Sequence, residues 1–447
     1  MTPWEKFKID WKGKKVLIMG LGLQGRGIGD AKIFCEAGSQ VAVTDLKNEV
    51  QLQSAVVQLK DFPVRFVLGK HDEEDFRSYD LVLRNPDVPE SSHFLKIAAN
   101  AGIQIKMDSS LFAKYCPFPV IGITGTRGKT TTTMMIYEVL KKLYKGNVCL
   151  GGNIQGKATL ELLPGLQKGI AVLELSSWEL QGWHDEKISP HISVFTNFYQ
   201  DHLNRYASMS EYLKDKLAVA EYQNRKDWLI AGPEVKLTVK NIKSRLIRFS
   251  AADLPKNFKL QIPGEHNRAN AAAALSVTRV LELKDNAVLK ILSKFPGVPY
   301  RLETIAVIDG VEYINDTTST TPAAGIEAIR AMTKPIVLIA GGSSKKLDLK
   351  PLAEEILDSY RKHRVKRVIL LKGEGTDELM DYLEGAGSRL IDGVCDDFGA
   401  AVTKARNLAI SGDTVLLSPG CASFSMFNNE FDRGDQFNQI VRKWQIK

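Results

Sequence analysis

VIGITGTRGKTTTT, running from Val120 to Thr133, is the stretch on which the reading of this chain turns. Its first five residues read as a buried strand, and a helix follows with Ile136, Val139, Leu140 and Leu143 at helical spacing. Between them, glycines let the backbone curl so that successive N–H groups converge on one anion, and the helix N-terminus adds partial positive charge. Lys129 has the reach for terminal phosphates, and the Thr130 hydroxyl suits a magnesium ion. A strict phosphate-loop pattern wants a glycine where this chain has Ile123, so the loop is a shorter variant: Gly125, Thr126, Arg127, Gly128, Lys129, Thr130, with Thr131 behind. A chance glycine turn entering a helix is the bland alternative. The strand before, the helix after and the threonine run favour a nucleotide loop for ATP.

Upstream, KKVLIMG reads as a strand, and Gly20-Leu21-Gly22-Leu23-Gln24-Gly25 after it fits G-x-G-x-x-G. Asp45 lies 20 residues beyond Gly25, at the end of the next strand, QVAVTD. Alone, this is a dinucleotide fingerprint and suggests a nicotinamide-dependent oxidoreductase, but the same turn can cradle other nucleotide diphosphates. A chain with both this turn and a separate ATP loop points to two different phosphorylated ligands. RFVLG and DLVLR are further strands, and Cys116-Pro117-Phe118-Pro119 reads as a linker. Downstream, GIAVLELSS, HISVFTN and DWLIAG read as strands and HNRANAAAALSVTRVLEL as helix, with a break at Phe295 to Glu303. PIVLIAGG, KRVILLKGEG and DTVLLSPG follow as strands, with helices at 348–362 and 397–408 between them. The expectation is an α/β chain of three domains: Rossmann-like at 1–117, a central P-loop-type ATPase domain at 118–298, and Rossmann-like at 299–447.

The 447 residues are 44% hydrophobic and 25% charged, the balance of a soluble globular protein. The lysine-studded start lacks a signal peptide's apolar core, and no apolar run approaches a membrane span. Five scattered cysteines argue against a disulfide framework or structural zinc and for a cytoplasmic enzyme. The net charge of +8 comes from dispersed basic residues, which suits small anionic ligands better than nucleic acid.

Taken together, the motifs resemble the Mur ligase family, ATP-dependent enzymes that add amino acids to the peptidoglycan precursor. GTRGKTT is similar to its G-T-x-G-K-[ST]-[ST], LELSSWEL (Leu173 to Leu180) to its acidic strand motif, and TNFYQDHLNRY (Thr196 to Tyr206) to its Asn…Asp-His motif. GEHNRANAAAA matches H-N-x-x-N-A-x-A-A, and YRLE, YINDTTST and LLSPGCAS complete the series in family order over nearly the whole chain. The glycine turn and the length look most like the branch that adds D-glutamate to UDP-N-acetylmuramoyl-L-alanine; a sister ligase with L-glutamate or another acceptor is the alternative.

The resemblance implies ATP and Mg2+ as cofactors, and small-molecule partners: UDP-N-acetylmuramoyl-L-alanine, ATP and glutamate, with no nucleic acid, no membrane insertion and a monomeric chain. It implies Leu23, Gln24, Asp45 and Asn153 for the UDP-linked substrate, and Asn267, Asn270, Arg301 and Asp316 beside the loop for ATP. Lys129, Glu174, His202 and Lys216 become the catalytic set, with Thr130, Glu174, His202 and a carbamylated Lys216 at the metal. Thr320, Lys345 and Ser423 take the amino acid. Plainer readings stand beside several of these: Glu174 as a strand-end charge facing solvent, Lys216 as an exposed helix lysine, and Asn267 as a helix cap. The chain also departs from the family. Thr318 stands where a lysine is common, Glu430 where an aromatic usually lies (Phe431 is next to it), RNPDVP (Arg84 to Pro89) where S-P-G-[IV] is usual, and Arg127 where asparagine is.

Overall fold

Apolar runs with no alternation make strands buried on both faces, the mark of parallel sheets covered by helices. The computed structural model describes residues 1–22, 25–154, 158–201, 205–235, 242–262, 264–345, 347–383 and 389–445. They divide into two compact units, Met1–Lys259 with His266–Ser293, and Leu260–Glu265 with Lys294–Lys447.

The first unit holds two sheets. In the first, β1 (Lys15–Met19), β2 (Gln40–Asp45), β3 (Val64–Leu68), β4 (Leu81–Arg84) and β5 (Gln104–Lys106) lie in the order β3-β2-β1-β4-β5, every pair parallel. The chain winds one way from β1 to β3 and the other way from β4, so a crevice opens between the carboxyl ends of β1 and β4. The glycine turn leaves β1 there, and the Asn85 amide, just past β4, donates across the crevice to the Gly20 carbonyl at 3.2 Å.

The second sheet comprises β6 (Val120–Thr124), β7 (Asn147–Gly152), β8 (Gly169–Glu174), β9 (Ile192–Phe195), β10 (Trp228–Ala231) and β11 (Arg245–Arg248). Its order is β11-β10-β9-β6-β8-β7, again all parallel. Parallel pairing puts the carboxyl ends of β9, β6, β8 and β7 side by side, and the loops after them carry the motif residues.

The second unit contains β12 (Glu303–Ile308), β13 (Val311–Asn315), β14 (Ile336–Gly341), β15 (Val365–Leu371), β16 (Ile391–Cys395) and β17 (Thr414–Leu417), ordered β12-β13-β17-β14-β15-β16. Only β12 with β13 is antiparallel. Their link is Asp309-Gly310, with φ of 52° and 77°, the pair of left-handed residues a tight hairpin turn demands. The three-domain α/β architecture is therefore as expected.

Gly152 closes β7 at φ 82°, and a Cβ there would stand 2.0 Å from the Glu174 carbonyl of β8. Gly152→Ala should therefore destabilise the first unit by at least ~2 kcal/mol through strain and overpacking. Urea unfolding followed by tryptophan fluorescence checks this, and an unchanged midpoint would mean the two strand ends are not clamped.

Candidate active site

The helix Lys129–Leu143 begins on Gly128 with no side-chain cap, so its first-turn amides remain available to an anion. Gly125 and Gly128 take φ of 145° and 77°. Neighbours forbid side chains at both: a Cβ would fall 1.9 Å from Thr196 Oγ1 at Gly125 and 2.3 Å from Asn270 Oδ1 at Gly128. The loop is gripped from β9. The Thr126 and Arg127 amides donate to the Asn197 carbonyl and Oδ1 at 3.0 and 2.8 Å, and Thr196 Oγ1 donates to the Arg127 carbonyl at 2.7 Å. Lys129 Nζ curls back onto the Gly125 and Thr126 carbonyls, each at 3.2 Å. Arg127 reaches Asp201 of the Asn…Asp-His motif at 3.9 Å. Thr130 and Thr131 are half-buried in the first turn.

The helix Glu265–Val280 brings the paired asparagines to this loop. Asn270 Nδ2 donates to Asn267 Oδ1 at 3.2 Å, and Thr132 Oγ1 donates to Asn270 Oδ1 at 3.3 Å. Both asparagines are buried inside the helix, so Asn267 is not its cap.

Glu174 ends β8 at 2% exposure, which excludes a solvent-facing strand end. Asn153 Nδ2 donates to its Oε1 at 3.2 Å, and the Asn153 backbone amide to its carbonyl at 2.7 Å, while the buried Oε2 accepts no hydrogen bond from the described residues. Lys216, on the helix Met209–Glu221, is 1% exposed and so not an ordinary surface lysine. Its Nζ donates to the Gly125 carbonyl at 2.8 Å and to Thr124 Oγ1 at 3.4 Å, and stacks 4.8 Å over the Tyr212 ring. Burial, and then the charge of Lys129, hold this amine well below the usual ammonium range. Glu174 pairs in register with Ile123 on the strand that leads into the phosphate loop, and an orphaned carboxylate oxygen there is a hard donor that fits magnesium. Among the described residues no group of three or more His, Cys, Asp or Glu could hold a metal. His202, like Leu23 and Gln24, lies outside the described residues.

Asp45 is where the glycine turn needs it: Oδ2 accepts from the Gly22 amide at 3.1 Å and Oδ1 from Lys47 at 2.9 Å. The first two sheets meet around Arg26, a residue the sequence reading does not single out, although it follows Gly25 directly. Its guanidinium lies 3.1 Å from Glu179 and 3.8 Å from Asp108, both buried. Burial works against that charge, and the two carboxylates outweigh it and hold Arg26 above its ordinary value. Arg84, of the atypical RNPDVP segment, hydrogen-bonds Gln181, whose amide donates to Asp215 at 2.7 Å. Arg205 donates to the Asp87 carbonyl at 2.5 Å, so that segment is bound to the second sheet's elements.

In the second unit Asp316 is buried at the end of β13 and accepts from the Leu302 amide at 3.1 Å, from Ser418 at 2.8 Å and from Ser319. Burial pushes its carboxyl up to about 6, against these bonds and nearby Arg301, which is itself exposed. Lys345 Nζ donates to Thr320 Oγ1 at 2.8 Å. A backbone bridge pairs Ser343 with Ala422, next to Ser423, and the Gly420 amide donates to the Ser319 carbonyl at 2.8 Å. Thr320, Lys345 and Ser423 thus hang from one cluster of loops, and Ser423 Oγ is buried with no partner among the described residues. Thr318 turns its hydroxyl to the Tyr300 carbonyl at 2.9 Å, and the Phe431 ring packs 5.6 Å from that of Tyr300. Arg433, also unflagged by sequence, is fully buried and donates to Thr317 Oγ1 and its carbonyl, both at 2.9 Å.

Burial, with Asp108 and Glu174 adding to it and Arg26 opposing, pushes the Glu179 carboxyl up to about 7. The folded chain then holds a proton that the unfolded chain releases near 4.5, so this group's contribution to stability falls as pH rises from about 4.5 to about 7. Unfolding free energies of wild type minus Glu179→Gln should decline across that window and level off above it; a flat difference would place the charge elsewhere.

Family models match three segments: the Mur ligase MurD-like N-terminal domain at 14–106, the Mur ligase middle domain at 123–254, and the Mur ligase glutamate ligase domain at 300–421. A relative from Roseiflexus sp. (strain RS-1), named UDP-N-acetylmuramoylalanine--D-glutamate ligase, is 37% identical over 97% of this chain and 99% of its own length. Another of that name from Borreliella afzelii (strain PKo) is 33% identical over 96% of this chain and 98% of its own. Among solved structures, the UDP-N-acetylmuramate-alanine ligase of Thermotoga maritima covers 97% of this chain and 99% of its own with a TM-score of 0.63 at 20% identity, a likeness of fold. With its phosphate loop, its buried strand-end glutamate and its full-length likeness to these relatives, the chain belongs to the Mur ligase family.

Proposed function

We propose that this chain is an ATP-dependent ligase that joins D-glutamate to UDP-N-acetylmuramoyl-L-alanine, releasing ADP and phosphate, in peptidoglycan precursor synthesis. The observation that carries the chemistry is the buried Glu174 carboxylate, one oxygen unpartnered among the described residues, within electrostatic reach of Lys216 and paired in register with Ile123 at the entry to the phosphate loop. The relatives' shared name supplies the substrates.

Making an amide from a carboxylate requires a better leaving group than oxide. The substrate carboxylate attacks the γ-phosphorus of ATP, ADP leaves, and the amine of glutamate then displaces phosphate from the acyl phosphate. The first step brings two anions together, so positive charge must be fixed in place beforehand. Lys129 and the first-turn amides of the helix Lys129–Leu143 supply it on the phosphates, around the loop residues Gly125 to Thr131. Thr130, Glu174 and a carbamylated Lys216, with His202, would hold Mg2+, which screens the phosphate oxygens when bound. Asn267 and Asn270 take the adenine side, and Arg301 and Asp316 the ribose and phosphates. Leu23, Gln24, Asp45 and Asn153 take the UDP-linked substrate, and Thr320, Lys345 and Ser423 the amino acid. On this reading 1–117, 118–298 and 299–447 are the UDP-substrate, ATP and amino-acid domains of a monomeric cytoplasmic enzyme. No helix of the described residues is long and apolar enough to cross a membrane.

ADP release from the purified protein with UDP-N-acetylmuramoyl-L-alanine should require D-glutamate. Release with L-glutamate instead would give the sister-ligase reading that Thr318 and Glu430 suggest. NAD(P)H turnover without ATP would remove the ligase reading altogether. Lys129→Ala should lower kcat/KM by at least roughly a hundredfold. A carbamate on Lys216 should appear as a carbonyl NMR signal on adding 13C-bicarbonate and vanish in Lys216→Ala; a signal that survives belongs to another amine.

A further inference from the structure

Arg26 is the first residue of the helix Arg26–Glu36 and directly follows the glycine turn. Two buried carboxylates would account for its charge, yet its contacts go further. The Nη2 that faces Glu179 also donates to the Gly152 carbonyl at 3.2 Å and to Asn153 Oδ1 at 3.4 Å. That second contact decides which way the Asn153 amide points, because amide orientation is set by its partners. With Oδ1 turned to the guanidinium, Nδ2 faces Glu174 Oε1 at 3.2 Å. Reversed, the amide oxygen would face a buried carboxylate and the amide nitrogens a cation, unfavourable at both ends. Held this way, Asn153 occupies Oε1 and leaves Oε2 as the unpartnered oxygen. Gly152 is clamped as well, since it pairs in register with Glu174 and has no room for a Cβ.

We infer that Arg26 is a positioning residue for the ligation centre: through Gly152 and Asn153 it fixes the Glu174 carboxylate with one oxygen presented to a metal ion. This rests on the metal role proposed for Glu174. It also ties the turn proposed to hold the UDP-linked substrate to the carboxylate of the ATP site, through one side chain. Lysine replaces it poorly, because one ammonium cannot stand both where Nη2 meets Gly152, Asn153 and Glu179 and where Nε faces Asp108.

Arg26→Lys keeps the charge among Glu179 and Asp108 and removes the fork. Mn2+ binding to the protein–ADP complex, read from the EPR signal of free Mn2+, should weaken ~10-fold, and kcat should fall about as much. KM for glutamate should stay within about twofold, since Thr320, Lys345 and Ser423, proposed for it, lie on other elements. In an Asn153→Ala background the same substitution should cost clearly less than in the wild type, because one of the two contacts it acts through is gone and only that to Gly152 remains. If Arg26→Lys does not fold, Arg26→Met with Glu179→Gln removes both charges and should give the same losses. Unchanged Mn2+ affinity with only a lowered Tm would make Arg26 a plain ion-pair residue and overturn the inference, as would losses that multiply with Asn153→Ala. A wild type that binds Mn2+–ADP but releases no ADP with any amino acid would fail the proposed reaction instead, and the Mn2+ comparison would still judge Arg26.

Discussion

One ionisable oxygen pair at the end of a buried parallel strand constrains everything around it. Glu174 sits on β8 between β6 and β7, with 2% of its surface exposed. An ionised carboxylate so placed costs several kcal/mol unless hydrogen bonds, a counter-charge or a metal compensates it. The fold provides half of that compensation internally, through the Asn153 amide on Oε1. At Oε2 no hydrogen-bond partner stands among the described residues. A structure that withholds a partner from a buried charge is unfinished until a cation arrives, and the family's reaction brings one with ATP.

The phosphate loop is governed by the same economy of space. Its glycines are required less for flexibility than because Thr196 and Asn270 already occupy the volume a Cβ would need. Thr196 and Asn197 pin the loop from β9, Asn270 abuts it from the helix Glu265–Val280, and Lys216 closes beneath it onto the Gly125 carbonyl. A cradle fixed from three sides needs no reorganisation when charge develops on a phosphate, which is where electrostatic catalysis draws its advantage. It also places the buried amine of Lys216 among Lys129, Asp201 and Glu174, so the lysine's charge state is coupled to the site.

Which parts of this were legible in the sequence follows from geometry. The strands read correctly from apolar runs are the interior ones, β1, β2, β4, β6, β8, β9, β10, β14, β15 and β17, with β3 alone among the edges. The strands that escaped notice are β5, β7, β11, β12 and β16 at sheet edges and β13 beside one. An edge strand such as β11 is largely exposed and has no reason to be apolar. The hairpin β12–β13 did carry a signal, Asp309-Gly310, in its turn rather than in its strands. At the site, the loop was legible from its own strand–glycine–helix pattern, whereas Glu174, Asn270 and Lys216 were singled out by the family resemblance. Neither could reveal Arg26, Arg433 or the grip of Asn197, whose roles come from contacts between residues about 70 to 150 positions apart. Burial of Glu174 and Lys216 was likewise decided only by packing.

The departures at the amino-acid end look different once the segment Asn315 to Thr320 is seen in place. Asn315 donates to Asn438 at 2.7 Å, Asp316 is held by Ser418, and Thr317 is held by the buried Arg433. Thr318 turns back to Tyr300, so the lysine missing there leaves a satisfied hydroxyl rather than a hole. On the proposed assignment, charge for an acidic amino acid falls to Lys345, which reaches Thr320, and Ser423 adds a buried oxygen with no partner among the described residues. A site with buried polar atoms of this kind discriminates mainly by penalty: a ligand that cannot meet the hydroxyl leaves it unsatisfied, at about 1–3 kcal/mol. On the proposed assignment, the choice between the two hands of glutamate therefore depends less on the absent lysine than on whether one carboxylate can meet Lys345 while the other end meets Ser423.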